Sequence, residues 1–289
     1  MTHHTTQAPT FLKLFNCQVQ LRPDTVAVIE NGSIQYTYAE INNSSTKLAN
    51  YICSLGNNVS DIVAIQLPQC ANHIISLLAV MKSGKAFLSL NSQQPPASQN
   101  KVLKQLSISH VIASKETTLN VNAILIPSNL QGSTKKTLVN VTSDDLAYVI
   151  QTSGTTGKPK CIQIPHAGLA NLVLSQLTRF NIQPGSRIFQ FADMCFDASV
   201  SEWSTALSSG ATLCIPTRTQ DKLSHNLCST CDHYGITHVT LPPSLLYYED
   251  YWPFKTLQTL ILAGEVPCID LWQRISKSLC VINAYGPSE

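Results

Sequence analysis

The sequence predicts an α/β protein made of two similar lobes, each with helices over a largely parallel sheet. The first reason is that short β-rich runs alternate along the chain with stretches of helical periodicity. The second is a repeated pattern in which a helix ends at Ser-Gly and a strand follows at once. The pattern occurs at Gly84 and at Gly210, and glycine in this position is typical of a helix C-terminus.

The first third of the chain gives the clearest individual elements. Asn31 and Gly32 form a turn signal directly after an apolar run, and Gly56 ends a stretch of helical periodicity. The elements that we expect here are a strand over 26–29, a helix over 39–55, a strand over 62–67, a helix over 71–82 and a strand over 86–90.

Polar segments indicate where the chain loops. Residues 113–145 are polar and irregular, so we expect a surface loop there and a seam between the two lobes. Pro95 and Pro96 indicate another loop. As domains, we expect an N-terminal extension over residues 1–20 and one core over residues 21–289.

Composition excludes several classes of protein. With 289 residues, 44% hydrophobic and 12% charged, the chain can bury a large core and is not intrinsically disordered. A formal charge of +2 without a long basic run disfavours nucleic-acid binding. The longest apolar stretch, 74–81, is too short to span a membrane. The N-terminus has no secretory signal and the ten cysteines are scattered, so we expect reduced thiols and a cytoplasmic location.

An apolar run that starts at Leu146 leads into a segment rich in hydroxyls, glycines and lysines. Residues 152–160 read Thr-Ser-Gly-Thr-Thr-Gly-Lys-Pro-Lys. Glycines let backbone N–H groups turn towards phosphate oxygens, hydroxyls add donors and lysine adds positive charge. The segment is not a Walker loop, because two residues rather than four separate Gly154 from Gly157. Composition alone leaves a phosphate-binding loop and a mobile turn as open interpretations.

This segment resembles the phosphate loop of adenylate-forming enzymes, which include acyl-CoA synthetases, luciferases and the adenylation domains of nonribosomal peptide synthetases. Further motifs resemble that family in the family's order. They are Tyr36-Thr-Tyr-Ala-Glu-Ile41, Met81-Lys-Ser-Gly-Lys-Ala-Phe87, Phe196-Asp-Ala-Ser199 and Asn283-Ala-Tyr-Gly-Pro-Ser-Glu289. The last two are similar to motifs of amino-acid-activating members. The resemblance implies the large N-terminal domain of the adenylate-forming fold, incomplete at its C-terminal side.

The resemblance also implies a reaction in which ATP and a carboxylate give an acyl-AMP and pyrophosphate. The residues that match the family's phosphate loop are Thr152, Ser153, Gly154, Thr155, Thr156, Gly157 and Lys160. Those that match its adenine and α-phosphate motif are Asn283, Tyr285, Gly286 and Ser288. Glu289 matches the ligand of the Mg²⁺ cofactor, and a hard cation beside phosphates suits a carboxylate.

Asp197 bears on the class of substrate. An amino acid brings an ammonium group into an apolar pocket, where a carboxylate can offset the cost of burying that charge. A fatty-acid substrate has no need of such a carboxylate. Spacing alone favours a different role, in which Asp197 is a cap before a helix over 198–207. The resemblance favours the amino-acid interpretation.

Further positions match the side-chain pocket of amino-acid-activating members, and all of them are small or uncharged. They are Ala198, Ser201, Thr240, Ile261, Ala263 and Ala284. A charged side chain would find no partner among them, so the resemblance implies an apolar, in particular an aromatic, amino acid. Ser201 is small where phenylalanine-activating members often carry a large ring, so tyrosine or another bulky residue also fits. The open alternative is that these are plain core positions.

The resemblance implies partners as well as a substrate. They are a peptidyl carrier domain whose phosphopantetheine thiol receives the aminoacyl group, and a condensation domain in the same parent protein. Family members continue beyond the motif that ends at Glu289, with a ribose-binding Asp and a small C-terminal domain that carries a catalytic Lys. We therefore expect this chain alone to be inactive or weakly active. An acyl-CoA synthetase-like ligase and a non-catalytic nucleotide-binding remnant are the alternatives.

Two weaker features remain. His225, Cys228, Cys231 and His233 lie close together, and C-x₂-C is a spacing seen in zinc sites, although packing on a sheet explains the pattern equally. His166 follows the phosphate loop, where it can orient the loop or fill the end of a strand.

Overall fold

The computed structural model describes residues 8–91, 93–115, 117–126, 139–152, 160–216, 227–247, 254–275 and 279–286. Within these residues the strands form one sheet of seven strands and one of six. Among the helices of the described segments, none combines the length and the apolar character that a bilayer crossing requires. All ten cysteines lie in the described segments, and none of them forms a disulfide there.

The seven-stranded sheet is parallel apart from one edge. In spatial order its strands are β13 (Cys280–Asn283), β12 (Thr259–Leu262), β11 (His238–Leu241), β9 (Arg187–Phe189), β10 (Thr212–Ile215), β1 (Val26–Glu30) and β2 (Ile34–Thr37). Only β1 and β2 pair antiparallel among them. The chain turns between these two strands at Asn31 and Gly32, whose φ angles are 52° and 77°, as the sequence predicts.

The six-stranded sheet has the same character. In spatial order its strands are β6 (Asn122–Leu125), β5 (His110–Ala113), β3 (Ile62–Gln66), β4 (Ala86–Ser89), β7 (Leu146–Thr152) and β8 (Lys160–Pro165). Its strands pair in parallel, except for β7 and β8, which pair antiparallel at one edge. The prediction of two α/β lobes with mostly parallel sheets is confirmed.

Helices connect most of these strands. They are α1 (Phe11–Leu21), α2 (Tyr38–Ser54), α3 (Ala71–Lys82), α4 (Pro96–Gln105), α5 (His166–Arg179), α6 (Asp197–Ser209), α7 (Leu227–Tyr234) and α8 (Ile269–Ile275). A capping box begins α2, because the side chain of Thr37 accepts from the N–H of Glu40 while the Glu40 carboxylate accepts from the N–H of Thr37. Helix α3 has the bounds that the sequence predicts.

The two Ser-Gly turns lead into different sheets, one into β4 and the other into β10. Gly84 and Gly210 have φ angles of 76° and 80°, which a residue with a side chain rarely adopts. Space is also short at both positions. A Cβ atom on Gly84 would lie 2.6 Å from Cγ1 of Val139, and one on Gly210 would lie 2.9 Å from Cδ of Arg22. Both turns therefore require glycine.

Two expectations about loops are wrong. Strand β6 lies inside the segment 113–145, and since β5 and β7 belong to the same sheet as β6, this segment is not a seam between the lobes. Pro96 is not in a loop but is the first residue of α4. Proline suits that position because the first N–H of a helix needs no partner within the helix.

Helix α1 belongs to the same packed core as the rest of the chain. Phe11 and Phe15 are fully buried, and Phe11 packs edge-on against Trp203 of α6 with the ring centroids 5.1 Å apart. Trp203 also lies 6.1 Å from Phe87 of β4, so one cluster joins the two sheets and α1. The division of the chain at residue 20 stays a prediction.

Tyr38 on α2 forms hydrogen bonds to the C-terminal end of α6. Its hydroxyl is buried and lies 2.8 Å from the carbonyl oxygen of Ala211 and 3.0 Å from that of Ala206. We expect Tyr38→Phe to lower the free energy of unfolding by about 1–2 kcal/mol, because a buried carbonyl loses its donor. Urea denaturation measures this, with Tyr51→Phe as the exposed control. Equal stability of the two variants would contradict the prediction.

Candidate functional site

The hairpin of β7 and β8 frames the predicted phosphate loop. Thr152 and Lys160 are directly paired across the hairpin. The loop between them lies outside the described residues, and with it Ser153, Gly154, Thr155, Thr156 and Gly157. The hydroxyl of Thr152 is buried and has no hydrogen-bond partner within the described segments, so its hydrogen-bonding capacity remains available for an oxyanion. Lys160 is exposed at the start of β8.

Four of the predicted pocket residues share one face of the seven-stranded sheet. Thr240 pairs with Ile261, and the register of β12 with β13 continues so that Ala263 stands beside Ala284. Side chains two residues apart on a strand point to the same face. Ile261 belongs to the core cluster that also contains Trp203, so this face is turned towards the core that joins the two sheets. The strands are parallel, and their carboxyl ends therefore form one edge, where α/β folds bind ligands.

Asp197 stands at this same edge. It is the first residue of α6, and the segment before it follows the carboxyl end of β9, which is parallel to its neighbours. Oδ1 of Asp197 accepts a hydrogen bond of 2.8 Å from the backbone N–H of Ala198, and its side chain is exposed. The N-cap position is Phe196, so the alternative in which Asp197 caps a helix over 198–207 is wrong by one residue.

The charge of Asp197 also affects a tyrosine of the six-stranded sheet. Burial, and after it the negative charge of Asp197, raises the pKa of Tyr148 to about 12. Tyr148 lies on β7, whose last residue is Thr152, and its ring stacks on Phe87 with a centroid distance of 5.6 Å. Asp197 therefore lies within electrostatic range of the strand that leads into the phosphate loop.

Ser201 follows Asp197 by one helical turn and makes a polar contact that the sequence does not reveal. Its hydroxyl donates to Oε1 of Gln176 on α5 over 2.8 Å. Both side chains are half-buried. The pocket wall assigned to Ser201 is thus a hydroxyl–amide pair. The sequence indicates only that a small side chain stands where some family members carry a large ring, and it does not indicate that Gln176 is the partner of Ser201.

The adenine motif is described in part. Oδ1 of Asn283 accepts a hydrogen bond of 3.0 Å from the backbone N–H of Tyr285. Tyr285 is 53% exposed, as a residue that stacks on a ligand from solvent can be. Gly286 is also exposed, whereas Ser288 and Glu289 lie outside the described residues.

The two weaker candidates, His166 and the His/Cys cluster, are described in part. His166 begins α5 with 1% of its surface exposed, and burial, opposed by Asp145, lowers its pKa to about 4. It is therefore neutral at pH 7. Cys231 is buried, which raises the pKa of its thiol. His225 lies outside the described residues, and the described ones contain no group of three His, Cys, Asp or Glu side chains able to hold a metal.

Comparisons with known proteins fit this geometry. The model of the family described as AMP-binding enzyme matches residues 15–289. The chain belongs to this family. It is 35% identical over 283 residues to CymA of Salinispora arenicola, a probable non-canonical nonribosomal peptide synthetase, covering 98% of this chain and 3% of CymA. It is 31% identical to gramicidin S synthase 1 of Brevibacillus brevis, covering 97% of this chain and 26% of that protein.

Solved structures show the same fold. The FmoA3 nonribosomal peptide synthetase superposes with a TM-score of 0.87 at 23% identity, over 98% of this chain and 32% of that one. The N-terminal subdomain of Klebsiella oxytoca NpsA, in complex with 3-hydroxyanthranilyl-AMSN, gives a TM-score of 0.86 at 25% identity. That match covers 100% of this chain and 76% of the subdomain. The adenylate-forming fold predicted from the motifs is confirmed.

Proposed function

We propose that this AMP-binding enzyme activates an amino acid with ATP as an aminoacyl-AMP and releases pyrophosphate. The observation that carries the proposal is the position of Asp197 at the carboxyl edge of the seven-stranded sheet, within electrostatic range of the strand that leads into the phosphate loop. A carboxylate beside a triphosphate site repels an anion and attracts a cation. The zwitterion of an amino acid supplies that cation together with a reacting carboxylate.

In the proposed reaction, one oxygen of the substrate carboxylate attacks the α-phosphorus of ATP. A new C–O–P linkage forms and the bond to the pyrophosphate leaving group breaks. The chain contributes position and charge, without a covalent intermediate on the protein. Thr152, Ser153, Thr155, Thr156 and Lys160, in a loop shaped by Gly154 and Gly157, bind the β- and γ-phosphates. The buried hydroxyl of Thr152, which has no hydrogen-bond partner among the described residues, supports this assignment.

The nucleotide base lies, in this proposal, against the exposed ring of Tyr285, where Asn283 and Gly286 are its neighbours. Ser288 binds the α-phosphate. Glu289 would hold Mg²⁺, since carboxylate oxygens beside phosphates are the ligands that this ion takes. When bound there, the ion would supply positive charge against the charge that develops on the leaving phosphates.

Asp197 binds the substrate ammonium, and Ala198, Ser201, Thr240, Ile261, Ala263 and Ala284 surround the side chain. Asp197 is exposed, so the substrate itself would cover the carboxylate and bury the ion pair. The wall combines an apolar strand face with the Ser201–Gln176 pair. An aromatic side chain fits the apolar part, and a phenol hydroxyl fits the polar pair. The complex of the NpsA subdomain with 3-hydroxyanthranilyl-AMSN shows that a similar subdomain holds an aromatic ligand.

The chain spans 3–26% of the length of the relatives described above, so its partners are proposals. They are a peptidyl carrier domain, whose phosphopantetheine thiol takes the aminoacyl group, and a condensation domain. We also propose a cytoplasmic location for this protein.

Exchange of pyrophosphate into ATP tests the proposal. It is run with a panel of standard amino acids, on the chain alone and on a fusion to the part of a family member that follows its matching adenine motif and carries both the ribose-binding Asp and the small C-terminal domain. We expect exchange that depends on an aromatic amino acid, weak or absent in the chain alone and strong in the fusion. Preference for Asp, Glu or Lys would contradict the pocket assignment. Exchange driven by fatty acids would favour an acyl-CoA synthetase-like ligase, and nucleotide binding without exchange in the fusion would favour a remnant.

A further inference from the structure

Glu202 is a buried carboxylate in the middle of α6 that takes no part in the proposed chemistry. Its side chain is 1% exposed. Oε2 accepts a hydrogen bond of 2.5 Å from Nε2 of Gln190 and one of 3.1 Å from the backbone N–H of Ala192, and Oε1 lies 3.2 Å from the same N–H. Burial of a charged group is tolerated only where donors of this kind satisfy it. Glu202 therefore binds the chain at residues 190–192 to the helix.

The segment that Glu202 holds leads directly to Asp197. It leaves β9 after Phe189 and runs over residues 190–196 before α6 begins. It ends in a tight turn, where the backbone N–H of Phe196 donates to the carbonyl oxygen of Asp193 over 2.9 Å. The segment is short, is hydrogen-bonded at residues 190–192 and forms a turn at residues 193–196. These bonds restrict the positions that the backbone of Asp197 can take. The bonds to Glu202 thus help to determine where that carboxylate stands.

The other lobe holds the same segment from the opposite side. Gln69 lies in the turn between β3 and α3, which belongs to the six-stranded sheet. Its Nε2 donates to the carbonyl oxygen of Gln190 over 2.6 Å and lies 3.3 Å from that of Ala192. Gln190 is fully buried, so its backbone and side chain are bonded from two lobes at once. The segment 190–196 is clamped between Gln69 and Glu202.

We infer that Glu202 is a positioning residue, which clamps the segment 190–196 so that the Asp197 carboxylate meets the ammonium group of the substrate. The inference rests on the proposed function, because it assumes that Asp197 binds that group. Glu202 acts through Ala192 and Gln190 and touches no reacting atom. A purely structural role would lower the amount of folded protein and affect both substrates alike. A positioning role raises the KM of the amino acid and leaves the KM of ATP in place.

Glu202→Gln separates these roles, because it keeps the volume and turns one acceptor oxygen into a donor. The clamp weakens, because a neutral amide with one acceptor oxygen replaces the charge-assisted bonds to Gln190 and Ala192. We expect hydrogen exchange at the Ala192 amide to accelerate about tenfold, while amides of β10 keep their protection. In the pyrophosphate exchange assay we expect the KM of the amino acid to rise about tenfold, with the KM of ATP within about twofold.

Glu40→Gln is the matched control, since Glu40 also accepts from a backbone N–H at the start of a helix but lies exposed on α2. It should change neither the exchange of segment 190–196 nor either KM. Gln69→Ala removes the donor on the other side of the clamp, the Nε2 group that bonds the carbonyl oxygen of Gln190. Because Gln69 is only half-buried, this variant keeps the inference testable if Glu202→Gln does not fold. We expect it to accelerate exchange at residues 190–192 several-fold and to shift the KM of the amino acid in the same direction.

The outcomes distinguish the clamp from the proposed function. Unchanged exchange at Ala192 in both variants would overturn the inference, as would an equal rise of the two KM values. If neither the wild-type chain nor its fusion shows exchange of pyrophosphate that depends on an amino acid, the proposed function fails and the positioning role fails with it. The hydrogen-exchange measurement would then still report whether Glu202 holds the segment.

Discussion

Asp197→Asn should lower kcat/KM for the amino acid in pyrophosphate exchange by about 10²–10³-fold, because the substrate ammonium loses the only charge that the proposal assigns to it. The effect should fall on the KM of the amino acid, and the KM of ATP should change little. The measurement uses whichever form of the protein, chain or fusion, gives the wild-type signal. Asp61→Asn is a control for loss of one exposed carboxylate far from the site.

A second substrate sharpens the test of Asp197. The matching carboxylic acid without its amino group makes no use of the Asp197 charge, so wild-type protein should strongly prefer the amino acid. In Asp197→Asn the ratio of kcat/KM for the amino acid to kcat/KM for the acid without an amino group should fall towards one. The ammonium group then has no counter-charge in the site and no longer favours binding. An amino-acid preference that survives the substitution would show that another group binds the ammonium.

The parts of the fold that the sequence predicts are those with strong local signals. Helix α3 is apolar on nearly all sides and is closed by Gly84, and it has the predicted bounds. Strand β6 has four residues, of which only Ile124 is buried, so neither an apolar run nor a clear alternation indicates it. Helix α4 is polar apart from its buried side, and Pro96 at its first position is also typical of a loop. The sequence therefore fails to predict β6 and α4 because each has few buried apolar residues.

The candidate site divides in the same way. Its motif residues could be placed because they follow strand ends, and parallel strands bring their carboxyl ends to one edge. The roles of Gln176 and Glu202 could not be predicted in this way, because each role depends on a hydrogen-bond partner in another part of the fold. Gln69 lies 121 positions from Gln190, a separation that no local pattern reports. One sequence signal did exist, because Glu202 is the sole charged residue between Ala198 and Leu207, and a lone charge in a buried helix needs a partner.

Trp203→Ala should lower the free energy of unfolding by about 3–5 kcal/mol, the largest stability effect that we expect in this chain. The indole is 1% exposed and lies against Phe11 and Phe87. Removing it leaves a cavity where α1, α6 and the six-stranded sheet meet, and rigid neighbours cannot collapse to fill it. Because domains are stable by only about 5–15 kcal/mol, the loss is a large fraction of the total.

Urea denaturation measures this loss, with Leu174→Ala on α5 as the control, since Leu174 is 45% exposed and its removal should change stability by less than about 0.5 kcal/mol. If Trp203→Ala fails to fold, Trp203→Phe gives a graded version with an expected loss of about 1–3 kcal/mol. The cluster of Trp203 also includes Ile261, so the cavity and the predicted pocket border one common core. Loss of stability should therefore be accompanied by weaker amino-acid binding, and a stable variant with an unchanged KM would show that this core and the pocket are independent.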